Sequence, residues 1–588
     1  MKQFFKMMFA SAFGVLLASG IMLIISFVVL IGFISSLSSS SEYNPKPNTV
    51  FKLTLEGTIA DNAEENPLSI LLGEKNYTLS LRDILAAIEA AKYNPHIQGI
   101  YLEGGFLSTG TSNIDAIRRA IIDFKESGKF VIAYADYYTQ GAYYLCSVAD
   151  EIYMNPSGTL ALAGLSSQTT FYKGLLNKIG VEMLVFKVGT FKGAVEPFML
   201  NKLSEENRLQ IMSYQQSIWG NVTAGISQAR NIPVEEINRF ADEGYMIADP
   251  EKAVKFRLVD ELRYKSEVEE YVKGRAGQRD KKLLTAGMDK MKYIRQQTNR
   301  SREQIAVLYA EGEIMPEEMT SIYGNSQIIS ERVANELIKL KNDENVKAVV
   351  FRVNSPGGSA FIAEQIWHQV QEIKKVKPIV VSMGNTAASG GYYISCAADI
   401  IVAEPNTLTG SIGVFGLLPN ATGLYDKLDL TTDVVKTNKY ADIRDLSRPM
   451  REDEKALIQA SIERTYDLFL TRCSEGRNMS KEQIDEIGQG RVWTGEQALA
   501  IGLVDELGGM ETAISTAAVL ANLDDYKVTH ISGSTDFFKD LWEKQLTEIK
   551  MSAVKEVLGN EYEHYQTVKS IQSNIGVLAR LPYEISSL

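Results

Sequence analysis

Short apolar runs alternate with amphipathic stretches along most of the chain. Val50-Phe51-Lys52-Leu53-Thr54-Leu55 predicts a first strand, residues 81–91 a helix with one apolar face, and Gly99-Ile100-Tyr101-Leu102 a buried strand. Residues 114–124 and then Phe130-Val131-Ile132-Ala133-Tyr134 repeat the helix-then-strand order. This alternation predicts crossover units, a largely parallel sheet and an α/β fold. One apolar run stands apart. Residues 7–41 carry no charge and residues 7–34 are strongly apolar, longer than the ~20 residues that span a bilayer. Lys2 and Lys6 precede it, which predicts an uncleaved transmembrane anchor with a cytoplasmic N-terminus and the remainder across the membrane. A signal peptide would have a shorter apolar core and a small-residue cleavage site.

The pattern occurs twice. Adding 249 carries Ile97 onto Val346, Ile117 onto Ile366, Tyr143-Tyr144 onto Tyr392-Tyr393, Ala149-Asp150 onto Ala398-Asp399 and Pro156 onto Pro405, with no gap over about a hundred residues. Leu258-Val259-Asp260-Glu261-Leu262 returns as Leu503-Val504-Asp505-Glu506-Leu507. The sequence therefore predicts an anchor and polar tether over 1–45, a first repeat over 46–265 and a charged, helical connector over 266–302. A second repeat over 303–525 and a helical C-terminal extension over 526–588 complete it.

Charge and composition narrow the chemistry. A net charge of −12 argues against a nucleic-acid partner. Cys146, Cys396 and Cys473 form neither a disulfide framework nor a metal cluster, so no metal or cofactor is expected. The four histidines, His96, His368, His530 and His564, are scattered and leave little room for a Ser-His-Asp triad.

The candidate chemistry lies in glycine-marked turns. Thr386-Ala387-Ala388-Ser389-Gly390-Gly391-Tyr392-Tyr393 follows an apolar strand and opens a helix. Ser389 then sits at a helix N-terminus, where free N–H groups and the dipole stabilise negative charge. Upstream, Asn354-Ser355-Pro356-Gly357-Gly358-Ser359 ends a second strand in a turn with further free N–H groups. Gln140 is the residue aligned with Ser389, and Ala441 the one aligned with Lys192. One repeat thus has the serine without the lysine, and the other the lysine without the serine. That complementarity fits one composite site. A serine hydroxyl needs an adjacent base, and a lysine serves when burial disfavours its charged form. Ser411, in Thr409-Gly410-Ser411-Ile412-Gly413, is aligned with Leu162 and is a second hydroxyl of the serine-bearing repeat. It is read equally as the lysine's orienting partner or as a turn residue capping its own backbone.

At these residues the chain resembles the long form of the signal peptide peptidase A family, also called protease IV. The motifs are Gly-Thr-Phe-Lys-Gly-Ala-Val-Glu-Pro-Phe around Lys192, Asn-Ser-Pro-Gly-Gly, Ala-Ser-Gly-Gly-Tyr-Tyr at Ser389 and Thr-Gly-Ser-Ile-Gly-Val at Ser411. The resemblance implies tandem Clp-protease/crotonase-like domains and a membrane-anchored serine endopeptidase of the bacterial inner membrane, with its catalytic domains on the extracytoplasmic side. Ser389 would be its nucleophile, Lys192 the general base and Ser411 the lysine's partner. The oxyanion hole would use backbone N–H groups of Gly390 and of Gly357 or Gly358. The resemblance further implies hydrophobic peptide substrates, chiefly cleaved signal peptides, and a homo-oligomer, by analogy a tetramer. A crotonase-type acyl-CoA enzyme and an inactive membrane scaffold are the rival readings.

Overall fold

Both faces of the apolar runs are covered by helices, and that burial makes them parallel strands. The computed structural model describes residues 42–63, 78–245, 249–279, 282–294, 299, 301–316, 328–532 and 576–580, with scattered residues before 26. The apolar run 7–34 lies largely outside the described residues. Among the described residues no helix is long and apolar enough to cross a membrane.

The first repeat runs β1 (Thr49–Ala60), α1 (Leu81–Tyr93), β2 (Ile97–Ser108), α2 (Thr111–Lys125), β3 (Phe130–Tyr138), α3 (Gln140–Cys146) and β4 (Glu151–Leu160). It continues with α4 (Lys173–Ile179), β5 (Glu182–Val188) and the long α5 (Glu205–Arg230). Strands β1 to β4 pair in parallel in chain order. The second repeat runs β6 (Gln304–Glu311), β7 (Glu313–Ile314), α6 (Glu331–Asn342), β8 (Val346–Ser355), β9 (Gly357–Ser359), α7 (Ala360–Lys374), β10 (Ile379–Ala388) and α8 (Gly390–Ser395). There follow β11 (Leu408–Gly410), β12 (Val414–Asn420), α9 (Thr422–Lys427), α10 (Glu452–Arg477), β13 (Lys527–Ser532) and β14 (Gly576–Arg580). Its central sheet contains the parallel run β11-β10-β8-β6-β13, with Val492–Thr494 antiparallel on the β11 edge. Helix α7 shows why the sequence folds this way. Ile362, Ile366, Val370 and Ile373 fall on one face and are buried against the sheet, while the Ser359 hydroxyl caps the N-terminus.

The structure revises three expectations. The shift of 249 hides two compensating slips. Lys129 donates to the carbonyls of Ala91 and Asn94, and Lys377 to those of Leu340 and Asp343. The acceptors are 340 − 91 = 249 apart but the lysines only 377 − 129 = 248. The pairing register shows the same step, since Gly99 pairs with Phe130 but Val349 with Ile379 (349 − 99 = 250 against 379 − 130 = 249), and β10 absorbs it with 10 residues where β3 has 9. Secondly, the connector is partly built into the first repeat. Its helix Lys265–Arg275 buries Val268 and Val272 against Val50 and Tyr101, and Thr285–Ala286 pairs with β1. Thirdly, residues 527–532 and 576–580 of the expected helical extension are the strands β13 and β14, and the rest of 533–588 lies outside the described residues.

A third sheet joins the repeats, in the order Ile328–Ile329, β7, β9, β14, β12, β5. Strand β5 leaves the first repeat and pairs antiparallel with β12 of the second, from Val188↔Val414 to Glu182↔Asn420. Phe186 on β5 joins the second repeat's core, and Ala388, Leu408 and Val492 join the first's. A polar seam runs alongside. Arg352 on β8 is buried and forks onto Asp61, just after β1, at 2.8 and 3.2 Å. It also donates to Ser382 Oγ and the Met383 carbonyl. Burial and the nearby Asp61 carboxylate push Glu311 up to about 7.

Because Asp61 is itself buried, Arg352→Met should leave an uncompensated charge and cost roughly 3–5 kcal/mol. Denaturant unfolding checks this, and the double variant Arg352→Met/Asp61→Leu should recover much of the loss.

Candidate active site

The turn between β10 and α8 holds Ser389 in an uncommon backbone conformation. Its φ is 56° and its ψ −114°, although it carries a Cβ. Such strain persists only where the surroundings over-determine it. Here the Ser389 N–H donates to the Gly410 carbonyl at 2.8 Å and its carbonyl accepts from the Tyr393 N–H at 2.8 Å. Ser389 is the N-cap of α8, yet its hydroxyl makes no capping bond, so Oγ is left to point elsewhere.

It points at a lysine from the other repeat. Lys192 Nζ lies 2.7 Å from Ser389 Oγ, 3.0 Å from Ser411 Oγ and 3.1 Å from the Ser411 carbonyl oxygen. All three residues are 0% exposed. Burial alone drives the Lys192 amine well below the ordinary lysine range, because a desolvated ammonium is costly and none of these partners is a carboxylate. The structure thus brings together the three side chains singled out in the sequence. Ser411, with φ 50° and its N–H on the Arg491 carbonyl, faces the lysine rather than capping its own turn.

The lysine is held by its backbone, not by a helix. Residues 189–193 lie against the turn 488–491 of the second repeat, where the Phe191 N–H donates to the Gln489 carbonyl at 2.9 Å. A Cβ at Gly490 (φ 82°) would meet the Lys192 backbone N and Cα at 2.6 and 2.7 Å. From behind, Gln210 Nε2 on α5 donates to the Phe191 carbonyl at 2.8 Å and Gln210 Oε1 accepts from the Val492 N–H at 3.1 Å. Glu196 and Asn207 complete this support. These supporting residues escaped the sequence reading, since glutamine and asparagine on a long helix look solvated. Gly488-Gln489-Gly490 was the one available signal.

Around the serine, Gly390 N–H belongs to the first turn of α8, whose N–H groups have no intrahelical acceptor. The Gly357 N–H donates to Ser355 Oγ at 3.1 Å. Gly358 (φ 149°) sits in β9, where a Cβ would strike the Ile314 carbonyl at 2.1 Å.

The first repeat's counterpart is closed. Gln140 stands where Ser389 stands in the second, and its Oε1 accepts from the N–H groups of Ala163 and Gly164 at 3.1 and 3.0 Å. The lysine comparison needs correcting. Helices α5 and α10 begin 452 − 205 = 247 apart, and at that shift Lys192 matches Lys439 rather than Ala441. Lys439 is exposed and ion-paired with Asp453 at 2.6 Å. The second repeat thus keeps a lysine near that place, in a setting that holds it charged.

Among the described residues there is no group of His, Cys, Asp or Glu able to hold a metal ion.

The sequence model of peptidase family S49 matches residues 123–279 and 371–524, and that of Clp protease matches 295–407. Protease 4 of Haemophilus influenzae is 36% identical over 85% of this chain and 83% of its own. Protease 4 of Salmonella typhi is 34% identical over 86% and 84%, and the chloroplastic serine protease SPPA of Arabidopsis thaliana 33% over 81% and 70%.

Gly490→Ala tests the positioning of the lysine. The added methyl must displace Lys192 from Ser389, and a shift of about 1 Å can cost on the order of 100-fold in rate. We expect that loss in kcat against a peptide substrate, with an unchanged circular-dichroism spectrum.

Proposed function

This chain belongs to peptidase family S49 and is a serine protease, and from that premise we propose that Ser389 is its nucleophile and Lys192 its general base. The family sets it apart from the acyl-CoA enzyme and the inactive scaffold that the sequence left open. The carrying observation is the fully buried lysine amine 2.7 Å from Ser389 Oγ. A neutral amine has one lone pair and two N–H groups. The lone pair accepts the Ser389 proton, while the N–H groups donate to the Ser411 carbonyl and hydroxyl, so Ser411 aims the base.

In the first half-reaction Oγ adds to the scissile carbonyl carbon and its proton passes to Nζ. The oxyanion is taken by the N–H groups of Gly390 and Gly358, since the Gly357 N–H is already turned to Ser355. The ammonium then protonates the leaving amine as the C–N bond breaks. Water, deprotonated by the regenerated amine, hydrolyses the acyl-serine in the second half-reaction. Substrates are hydrophobic peptides, chiefly signal peptides left in the membrane after export. The charge-free apolar run 7–34 supports this, because an anchor there would hold the site beside the lipid of the bacterial inner membrane, on its extracytoplasmic face.

We further read the chain as a homo-oligomer, by family resemblance a tetramer. Inside the chain, β5 of the first repeat clasps β12 of the second, and Gly180, after α4, abuts Gly423, at the start of α9. The corresponding strap of the second repeat, residues 429–435, is exposed and unpaired, with Val435 98% exposed. Its natural counterpart, 165–171 in the first repeat, is likewise outside any strand. Strap to strand between neighbours would repeat the contact already made within the chain, a heterologous interface, which gives a ring where its rotation closes.

Two outcomes follow. Ser389→Ala should retain under ~1% of peptide hydrolysis, and Lys192→Arg should be equally inactive because arginine gives up no proton. Wild-type activity should rise with pH through an apparent pKa well below the ~10.4 of a free lysine, since the neutral amine is the active form. An active Lys192→Arg enzyme would exclude the base role. For assembly, Val434→Asp/Val435→Asp should yield monomers by sedimentation velocity, where the wild type sediments as an oligomer.

A further inference from the structure

Strand β14 is the last described element of the chain, and it has an unexpected place in the third sheet. It lies between β9 and β12, antiparallel to both. Leu578 is in register with Ser359 on one side and Phe415 on the other. Towards its end, Ala579 stands opposite Gly358 and Arg580 opposite Gly357. It also packs against α8, the helix that Ser389 caps.

Neither repeat's central sheet includes this strand. Without β14, β9 and β12 would present two facing edges about 9–10 Å apart, the width of one inserted strand. Such edges take extended peptides through main-chain hydrogen bonds, largely without regard to sequence. A substrate whose carbonyl is to reach the N–H groups of Gly358 and Gly390 must run along β9, in the space that β14 fills. Both cannot lie there together.

We propose that residues 576–580 are a resident competitor for the peptide channel, and that a substrate binds by displacing the chain's own C-terminal strand. This rests on the reading of Ser389 and the β9 turn as the reacting site. Covalent attachment makes the competition one of effective concentration. If the strand holds the channel in about nine molecules of ten, the apparent Kd of an incoming peptide rises about tenfold. The reaction itself is untouched, so the strand should raise KM and leave kcat alone.

The test uses the Ser389→Ala chain, so that nothing is cleaved, and a fluorescent synthetic copy of residues 572–584 as the probe. Three proteins are compared: the full chain, a chain ending at Ile575, and the full chain carrying Leu578→Pro, which removes an N–H from the middle of β14. The inference expects the probe to bind both altered chains at least about tenfold more tightly than the full chain. Equal binding to all three, or binding to none, overturns it. Turnover of a fluorogenic peptide by the same three chains with Ser389 restored is read separately. Hydrolysis without differential probe binding would leave the protease reading standing and remove the competitor. Differential probe binding without hydrolysis would keep the competitor and remove the dyad.

Discussion

Desolvation of the Lys192 amine depends on both repeats at once. The first supplies the lysine and the α5 residues that fix its backbone. The second supplies the hydroxyls, the carbonyl and the 488–491 turn that close over it. Any opening of the seam readmits water, restores the ordinary lysine pKa and converts the base to an ammonium. The depressed pKa also acts on stability. In the unfolded chain the amine binds a proton below ~10.4, whereas in the folded one it does so only at lower pH, so this group's contribution falls as pH drops through that window. The site is thus held together against its own tendency to charge.

What resists that tendency is the exchange of pieces between repeats. Phe186 packs in the second core, while Ala388, Leu408 and Val492 pack in the first. The seam carries charge of its own in Arg352 with Asp61 and in Arg119 with Glu404. Burial and the Glu404 charge raise Asp115 to about 6. Pairs of this kind add little net stability compared with apolar packing, but a mispaired arrangement is costly. They favour one docking of the repeats over nearby alternatives.

The sequence made the α/β alternation, the duplication, Ser389, Lys192 and Ser411 legible, because strand runs, glycine turns and unequal repeats are local or periodic signals. The details it hid are relational. The two one-residue slips around β10 cancel, so an ungapped comparison reads straight through them. Lys439 escaped notice because the register had moved to 247 by α10, and only the helix starts reveal it. Where the Gly357 N–H points, onto Ser355 Oγ, is likewise a contact that the sequence does not display. Strand β14 is five residues of ordinary composition whose meaning comes only from its neighbours.

The split of the proposed dyad also has a consequence in time. Lys192 is made early, but Ser389 comes 389 − 192 = 197 residues later and the Gly490 turn that closes the pocket 490 − 192 = 298 residues later. A chain emerging from its N-terminus therefore has no competent base until nearly all of the second repeat has emerged and docked. The first repeat's own position is closed by Gln140, so no intermediate length has a working site. If Ser389 and Lys192 are the reacting pair, covalent order along the chain would serve in place of a removable pro-segment, with activity arising only as folding is completed.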